Sequence, residues 1–376
     1  MQNAELRMTK SLATVTLFVI LHFAFCILHL SASDFRPALP GYQFEFPRDH
    51  GAHDQYRTEW WYYTGHLQAD SGRRYGFELT FFRVGVVPPD VPQQTNWDLR
   101  NLSLAHFAIT DIDGKKFRYY EKLNRASPFT AMAAAGRLEV FNEAWRAATT
   151  SDGAWRVTGS QNGDAIDLVL HSRKPPAIHG ENGVSVKAQG PGYASLYYSM
   201  TRLEVTGSVT VRGRKPERAT GLAWMDHEFG SAALRENQQG WDWFSVQLDN
   251  DTELMLYQIR RSDGTPDATS SGSVIMPDGD VIHLNRNQIV VRPLRRWKSP
   301  HSGATYPMGW SVSVPSLRLT LRLDPLLEDQ ELMTPSSTRV TYWEGAVDVN
   351  GSFGNVSVSG DGYVEMTGYD RPFRQP

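Results

Sequence analysis

Glu59-Trp60-Trp61-Tyr62-Tyr63-Thr64-Gly65-His66-Leu67 and Gly240-Trp241-Asp242-Trp243-Phe244-Ser245-Val246-Gln247-Leu248 are two copies of one aromatic strand pattern. Each copy leads through a polar turn into a second apolar strand that ends in arginine, at residues 77–83 and 254–260. A further echo closes each half, residues 207–221 with Leu222-Ala223-Trp224-Met225-Asp226 against residues 345–362 with Tyr363-Val364-Glu365-Met366-Thr367. The chain therefore reads as two related β-domains in tandem. Aligned on that echo, Thr367-Gly368-Tyr369 falls where the first copy has Asp226-His227-Glu228, so the fold would not itself demand those acids.

Around these anchors the apolar segments are short and alternating, as in Leu104-Ala105-His106-Phe107-Ala108-Ile109 and Leu317-Arg318-Leu319-Thr320-Leu321-Arg322-Leu323. Turns at Asp111-Ile112-Asp113-Gly114, Asn162-Gly163, Asp278-Gly279 and Asn350-Gly351 supply residues that tolerate positive φ. The fold class expected is all-β, with two antiparallel barrels in meander order and one short helical segment at the alanine-rich residues 129–147. Residues 34–230 and 231–376 would be the two domains, joined between Phe229 and Gly240, and each is long enough for its own core.

Residues 1–33 read as an export signal. Arg7 and Lys10 precede an apolar run over residues 12–30, and Ser31-Ala32-Ser33 offers a cleavage site before Asp34. The run is also long enough for an N-terminal membrane anchor. The only cysteine, Cys26, lies inside it, so the mature chain would lack disulfides, thiolate nucleophiles and cysteine-ligated zinc. A net charge of -3 without a basic run argues against a nucleic-acid partner. No glycine-rich phosphate loop or nucleophile elbow is present.

Phe46-Pro47-Arg48-Asp49-His50-Gly51-Ala52-His53, Thr58-Glu59-Trp60-Trp61-Tyr62, Ala105-His106-Phe107-Ala108, Lys174-Pro175-Pro176, Tyr197-Tyr198-Ser199, Trp224-Met225-Asp226-His227-Glu228-Phe229 and Gly240-Trp241-Asp242-Trp243 resemble, in this order, the AttH and carotenoid 1,2-hydratase family. That resemblance implies a pair of lipocalin-like barrels, frequent export to the periplasm or cell envelope, and a gene neighbourhood shared with ABC-transporter permeases. In the hydratases a carboxylic acid protonates an alkene and water captures the cation. The aromatic-x-Asp motif that holds this acid is similar to Trp224-Met225-Asp226, so Asp226 alone carries over. The companion histidine and tryptophan are replaced around Tyr197-Tyr198-Ser199, which places the chain nearer the AttH branch.

The residues themselves give Asp226, Glu228 and His227 as candidate catalytic groups. Alternation puts Asp226 and Glu228 on one face with Trp224, and His227 on the other with Met225 and Phe229. Carboxylates beside an aromatic wall can split their pKa values so that one keeps its proton near neutrality. The competing reading is a buried ion-pair cluster with Arg235 or Arg57 that seals the join between the barrels. Trp224, Trp241, Asp242, Trp243, Glu59, Trp60, Trp61 and Tyr198 are candidate ligand-binding residues, although Glu59 and Asp242 equally suit pairing with Arg57, Arg83 or Arg260, and the tryptophans equally suit core packing. His50, His53 and Asp54 lack a clear third metal ligand, and His66 and His106 read as satisfied pocket or core residues.

The leading expectation is a monomeric, exported, cofactor-independent protein that holds an apolar isoprenoid- or lipid-like molecule in an aromatic cavity near the domain join. An acid-catalysed hydratase or isomerase of the same architecture is one alternative. A non-catalytic accessory of an envelope ABC transporter is the other.

Overall fold

Two antiparallel sheets, each rolled towards a barrel, make up the protein. The computed structural model describes residues 34–374 apart from Asn96 and Ala232. The leader, its anchor alternative and Cys26 lie outside the described residues, and no helix among the described ones is long and apolar enough to cross a membrane.

The first sheet contains β1 (Thr58–Ala69), β2 (Arg74–Gly85), β3 (Asn101–Asp111), β4 (Lys116–Arg125), β5 (Ala131–Ala133), β6 (Glu139–Asn142), β7 (Trp145–Thr149), β8 (Trp155–Gln161), β9 (Asp164–Ser172), β10 (Ala177–Ile178), β11 (Val184–Val186), β12 (Ala194–Thr210) and β13 (Glu217–Gly230). Its order is β4-β3-β2-β1-β13-β12-β9-β8-β7-β6-β5, with β10 and β11 also paired to β12. The second contains β14 (Gln238–Leu248), β15 (Glu253–Arg261), β16 (Ser271–Ile275), β17 (Val281–Asn285), β18 (Val290–Lys298), β19 (Thr305–Val314), β20 (Leu319–Pro325), β21 (Glu331–Met333), β22 (Thr341–Phe353) and β23 (Val356–Thr367). Here the order is β17-β16-β15-β14-β23-β22-β20-β19-β18, with β21 on β22. The chain passes from one sheet to the other between Gly230 and Gln238.

Meander order follows from the turns. Asn162 and Gly163, at φ 50° and 90°, form the two-residue turn between β8 and β9 whose twist suits a hairpin. Between β4 and β6 the first sheet's open seam is bridged by side chains, with Lys122 Nζ 2.6 Å from Glu143 and Asn124 donating to Asn142 at 2.8 Å.

The helix expected at residues 129–147 does not form. The segment instead gives the short strands β5, β6 and β7, and the only helices among the described residues are three single 3₁₀ turns. Gly136 at φ 76° and Glu143 at φ 55° turn the chain back twice. Burial of Val140, Trp145 and Ala147 inside the barrel overrides the helix preference of the alanines, so tertiary packing decides.

The aromatic repeat places equivalent strands at equivalent positions. β1 lies between β2 and β13, as β14 lies between β15 and β23. The register corrects one expectation, however. Tyr62 lies opposite Asp226, and its repeat counterpart Trp243 lies opposite Glu365. The second copy therefore sets Glu365, Met366 and Thr367 at the positions of Asp226, His227 and Glu228, two residues earlier than the sequence echo suggests. One acid is common to both halves.

Odd and even residues of these strands go to different places. Trp61, Tyr63 and Met225 fill the first barrel, while Phe244, Val364 and Met366 fill the second. Tyr62, Tyr197 and Trp224 face outward and meet Trp243, Met255 and Tyr363 of the other sheet. Both barrel interiors are packed by their own side chains. The space that remains lies between the sheets.

Candidate functional site

A cavity of about 190 Å³ opens in that junction. β1 and β13 bring Trp60, Tyr62, Asp226 and Glu228 to it, and β12 brings Tyr197. From the second sheet come Trp241 and Trp243 on β14, Tyr257 on β15, and Tyr342, Glu344 and Glu365 on β22 and β23. Glu78, Thr80 and His106 close its floor. Aromatic rings and six acids stand out in its lining, with Arg83 and Lys187 as cations.

Asp226 is 4% exposed and held by three donors. Trp224 Nε1 donates to Oδ1 at 2.6 Å, the Tyr197 hydroxyl donates to Oδ2 at 2.7 Å, and Ser199 donates to Oδ1. Burial nonetheless pushes this carboxyl up to about 7, because those bonds offset only part of the lost hydration. Tyr197 is itself oriented by Trp243 Nε1 at 3.1 Å, so the second sheet fixes the acid of the first. Glu228 is bonded differently, with Lys187 Nζ at 2.8 Å and Ser195 as donors. Lys187 lies 4.1 Å from the centre of the Tyr257 ring.

Across the cavity the acids have fewer partners. Burial pushes Glu365 up to about 8 against a single bond from Trp241 Nε1 at 2.9 Å. Glu344 accepts from the Tyr62 hydroxyl at 2.6 Å. Burial, then the neighbouring Glu78 and Glu365, hold it well above the usual carboxylate range. Burial likewise takes Glu78 up to about 7. Raised in this way, these carboxyls hold their protons to higher pH than ordinary carboxyls do, which is what a general acid requires.

The other face of β1 and β13 behaves in the opposite way. His53 Nδ1 lies 2.7 Å and His227 Nε2 lies 2.8 Å from Glu59 Oε1, and Arg83 Nε donates to Oε2 at 2.9 Å. Burial disfavours the Glu59 charge, but Arg83 and the two histidines hold it well below the usual range. His53 also reaches Asp49 at 3.2 Å. His227 stacks on Trp61 and bonds Tyr198, whose hydroxyl also meets His50 at 2.8 Å. The donor atoms of His53, Glu59 and His227 lie within 4.8 Å of one another, a spacing a metal could use, and each already has a protein partner.

The residues expected from sequence thus divide. Asp226, Glu228, Trp60, Trp241 and Trp243 line the cavity, and Trp224 stands behind Asp226 as a hydrogen-bond donor. Glu59 borders the cavity, but its carboxylate points back into the Arg83 network. Trp61, Tyr198 and His227 belong to the first barrel's interior side, and Asp242 is paired with Arg260 and Tyr369. Arg83 and Arg260 are therefore the arginine partners of Glu59 and Asp242, while Lys187, not Arg57 or Arg235, pairs with Glu228. Sequence reasoning missed Tyr62, Glu78, Lys187, Glu344 and Glu365. Correct alignment of the repeat would have found Glu365 from Asp226, and the rest carry no local signal.

The family pattern described as AttH-like matches residues 37–369. An AttH protein of Nitrosomonas europaea superimposes with a TM-score of 0.79 at 32% identity, over 89% of this chain and 99% of that one. Kievitone hydratase of Fusarium solani subsp. phaseoli is 26% identical over 189 residues, which is 49% of this chain and 52% of the relative, so the match spans about half that relative's length. The kievitone hydratase structure from Nectria haematococca shares the fold, with a TM-score of 0.67 at 15% identity over 90% of this chain and 97% of that one. Dehydratase asqC of Emericella nidulans is 21% identical over 69% of this chain and 75% of its own. With the two-sheet fold and a family match over nearly the whole described chain, the protein belongs to the AttH-like family.

Proposed function

We propose that the protein is a cofactor-independent hydratase or dehydratase of a small, neutral, apolar alkene or the corresponding alcohol. The cavity between the sheets is its active site and Asp226 its general acid. One observation carries this reading: a buried carboxyl, oriented by three donors and poised at about 7, faces an aromatic cavity. The relatives named as a hydratase and a dehydratase support the same reaction class.

In hydration Asp226 gives its proton to one alkene carbon. The cation that develops lies against the rings of Trp60, Tyr62 and Trp243, whose π faces favour positive charge. Water then adds, and dehydration runs the same steps backwards. The cavity of about 190 Å³ exceeds the ~150 Å³ apolar void that holds benzene, which suits a compact isoprenoid or aromatic unit. Binding of an apolar ligand is the first step of this reading, and export through residues 1–33 stays part of the proposal.

Incubation with neutral terpenoid and prenylated phenolic alkenes in ¹⁸O-water should yield labelled alcohol by mass spectrometry. Asp226→Asn should lower that rate by about 10³-fold, within the usual range for a lost general acid, while the same alkenes still quench tryptophan fluorescence. Quenching by several alkenes with no label in any product would leave a carrier and end the hydratase reading.

A further inference from the structure

The cavity's second acidic wall is more than a lining. Glu344 and Glu365 are directly opposed across β22 and β23, which puts their side chains on one face about 5 Å apart at Cβ. Glu344 Oε2 and Glu78 Oε2 are buried oxygens without a hydrogen-bond partner in the protein, and both residues line the cavity. Two unpartnered carboxyl oxygens at the cavity, one from each sheet, make a place for a small donor such as water.

From Glu78 a continuous chain of hydrogen bonds runs outward. The Tyr342 hydroxyl lies 3.4 Å from Glu78 Oε1 and 2.7 Å from His106 Nδ1. His106 Nε2 lies 2.9 Å from Ser337 Oγ, which donates to Glu121 Oε2 at 2.5 Å. Glu121 is half-buried at the protein surface, whereas His106 is 1% exposed. Burial holds His106 neutral, down to about 3, so one ring nitrogen donates and the other accepts. With Glu78 ionised the Tyr342 hydroxyl donates to it; once Glu78 is protonated that bond can reverse, and every donor then points outward: Glu78 to Tyr342, Tyr342 to His106, His106 to Ser337, Ser337 to Glu121.

We propose that Glu78, Glu344 and Glu365 form the water-handling wall of the active site, opposite Asp226, and that this wall exchanges protons with solvent through Tyr342, His106, Ser337 and Glu121. This deepens the hydratase reading and rests on it for its chemistry. The Asp226 O–H bond breaks as the carbon–hydrogen bond forms. Water held by the glutamates forms the carbon–oxygen bond and passes its proton to Glu78, which at about 7 is ionised in part near neutrality and begins the chain, while Glu344 and Glu365 keep their protons. Asp226 then lacks one proton and the glutamates hold one extra. The extra proton leaves along the chain to Glu121 and solvent, and one solvent proton, relayed by the water that refills the cavity, returns to Asp226, so that one proton enters for the one that leaves.

The proton path is tested without a substrate. Transfer of the full protein into D₂O should shift the infrared carbonyl band of its protonated buried carboxyls, and the part of that band lost in Glu78→Gln reports on Glu78. Ser337→Ala should slow deuteration of that part at least tenfold at unchanged amplitude. Glu121→Gln, which changes only the outer end, should slow it as well. Exchange at the wild-type rate in Glu121→Gln overturns the path, as does the wild-type rate in a folded Ser337→Ala. A slowed exchange with no ¹⁸O incorporation in any alkene would keep the path and remove only the hydratase chemistry.

Discussion

The two faces of the β1 and β13 pair bury acids of the same kind and treat them oppositely. Inward, Glu59 meets Arg83, His53 and His227 and stays ionised. Outward, one residue before His227 in sequence, Asp226 meets only neutral donors and keeps its proton to about 7. Burial is nearly equal, at 1% and 4% exposed. The difference is therefore the charge of the partners, since a neutral donor offsets part of the lost hydration and a cation offsets more. Glu59 is tied by charged partners at the first barrel's end, and Asp226, on the function proposed above, is the acid that releases a proton.

Removing the inward acid is expected to have the largest effect on stability. Glu59→Gln removes the buried carboxylate from Arg83 and His53, leaving buried Arg83 with only the exposed Asp54 at 3.7 Å and His53 with only Asp49. Loss of one partner from such a network costs about 3–5 kcal/mol. Because the Glu59 carboxyl is held below its unfolded value, its contribution is present above that value and fades as pH falls through the folded one. Urea unfolding should show the variant's deficit at pH 7 and a smaller deficit in acid. A variant as stable as wild type at pH 7 would mean that the inward network is not structural.

The outward acid should respond with the opposite sign. The Asp226 pKa is raised from 3.8 to about 7, so its favourable protonated state is complete below the unfolded value and is lost as pH rises towards 7. Relative to wild type, Asp226→Asn should gain about 4 kcal/mol between pH 4 and pH 8, because a tenfold difference in proton affinity between folded and unfolded chains is worth about 1.4 kcal/mol. Paired denaturation curves at the two pH values measure it. A constant difference would show that Asp226 titrates as an ordinary carboxyl, which would also remove the general acid.

How much of this was legible beforehand follows the same division. Alternation alone placed Asp226 and Glu228 together and His227 apart, and the duplicated aromatic strand gave the two-sheet fold, because both signals are local. The site's second wall was not legible. Glu344 and Glu78 come together only because two sheets pack face to face, and no spacing in the sequence encodes that. Glu365 was within reach but was missed by a two-residue slip, since an echo of glycines and aromatics fixes strand identity better than register. The helix expected at residues 129–147 was wrong because alanine content reports a local preference that the barrel wall overrode.

The smallest effect expected is the one that compares the two halves most directly. Ser199 and Glu344 hold equivalent places, opposite Asp226 and opposite Glu365. Ser199 donates to its acid, and Asp226 settles at about 7; Glu344 bonds Tyr62 instead and gives Glu365 no hydrogen bond, and Glu365 settles at about 8. Ser199→Ala should therefore raise the Asp226 value, and Glu344→Ser, which puts a hydroxyl beside Glu365, should lower that of Glu365. Each midpoint should move by about one pH unit or less, the size of one hydrogen bond to a charged group offset by rehydration. Infrared titration of the carboxyl bands resolves both. Opposite movements would mean that the cross-strand residue tunes each acid, so that a single serine-to-glutamate difference between the repeats separates a poised acid from a more tightly protonated wall. No movement in either would leave burial as the sole cause and make the two halves electrostatically alike.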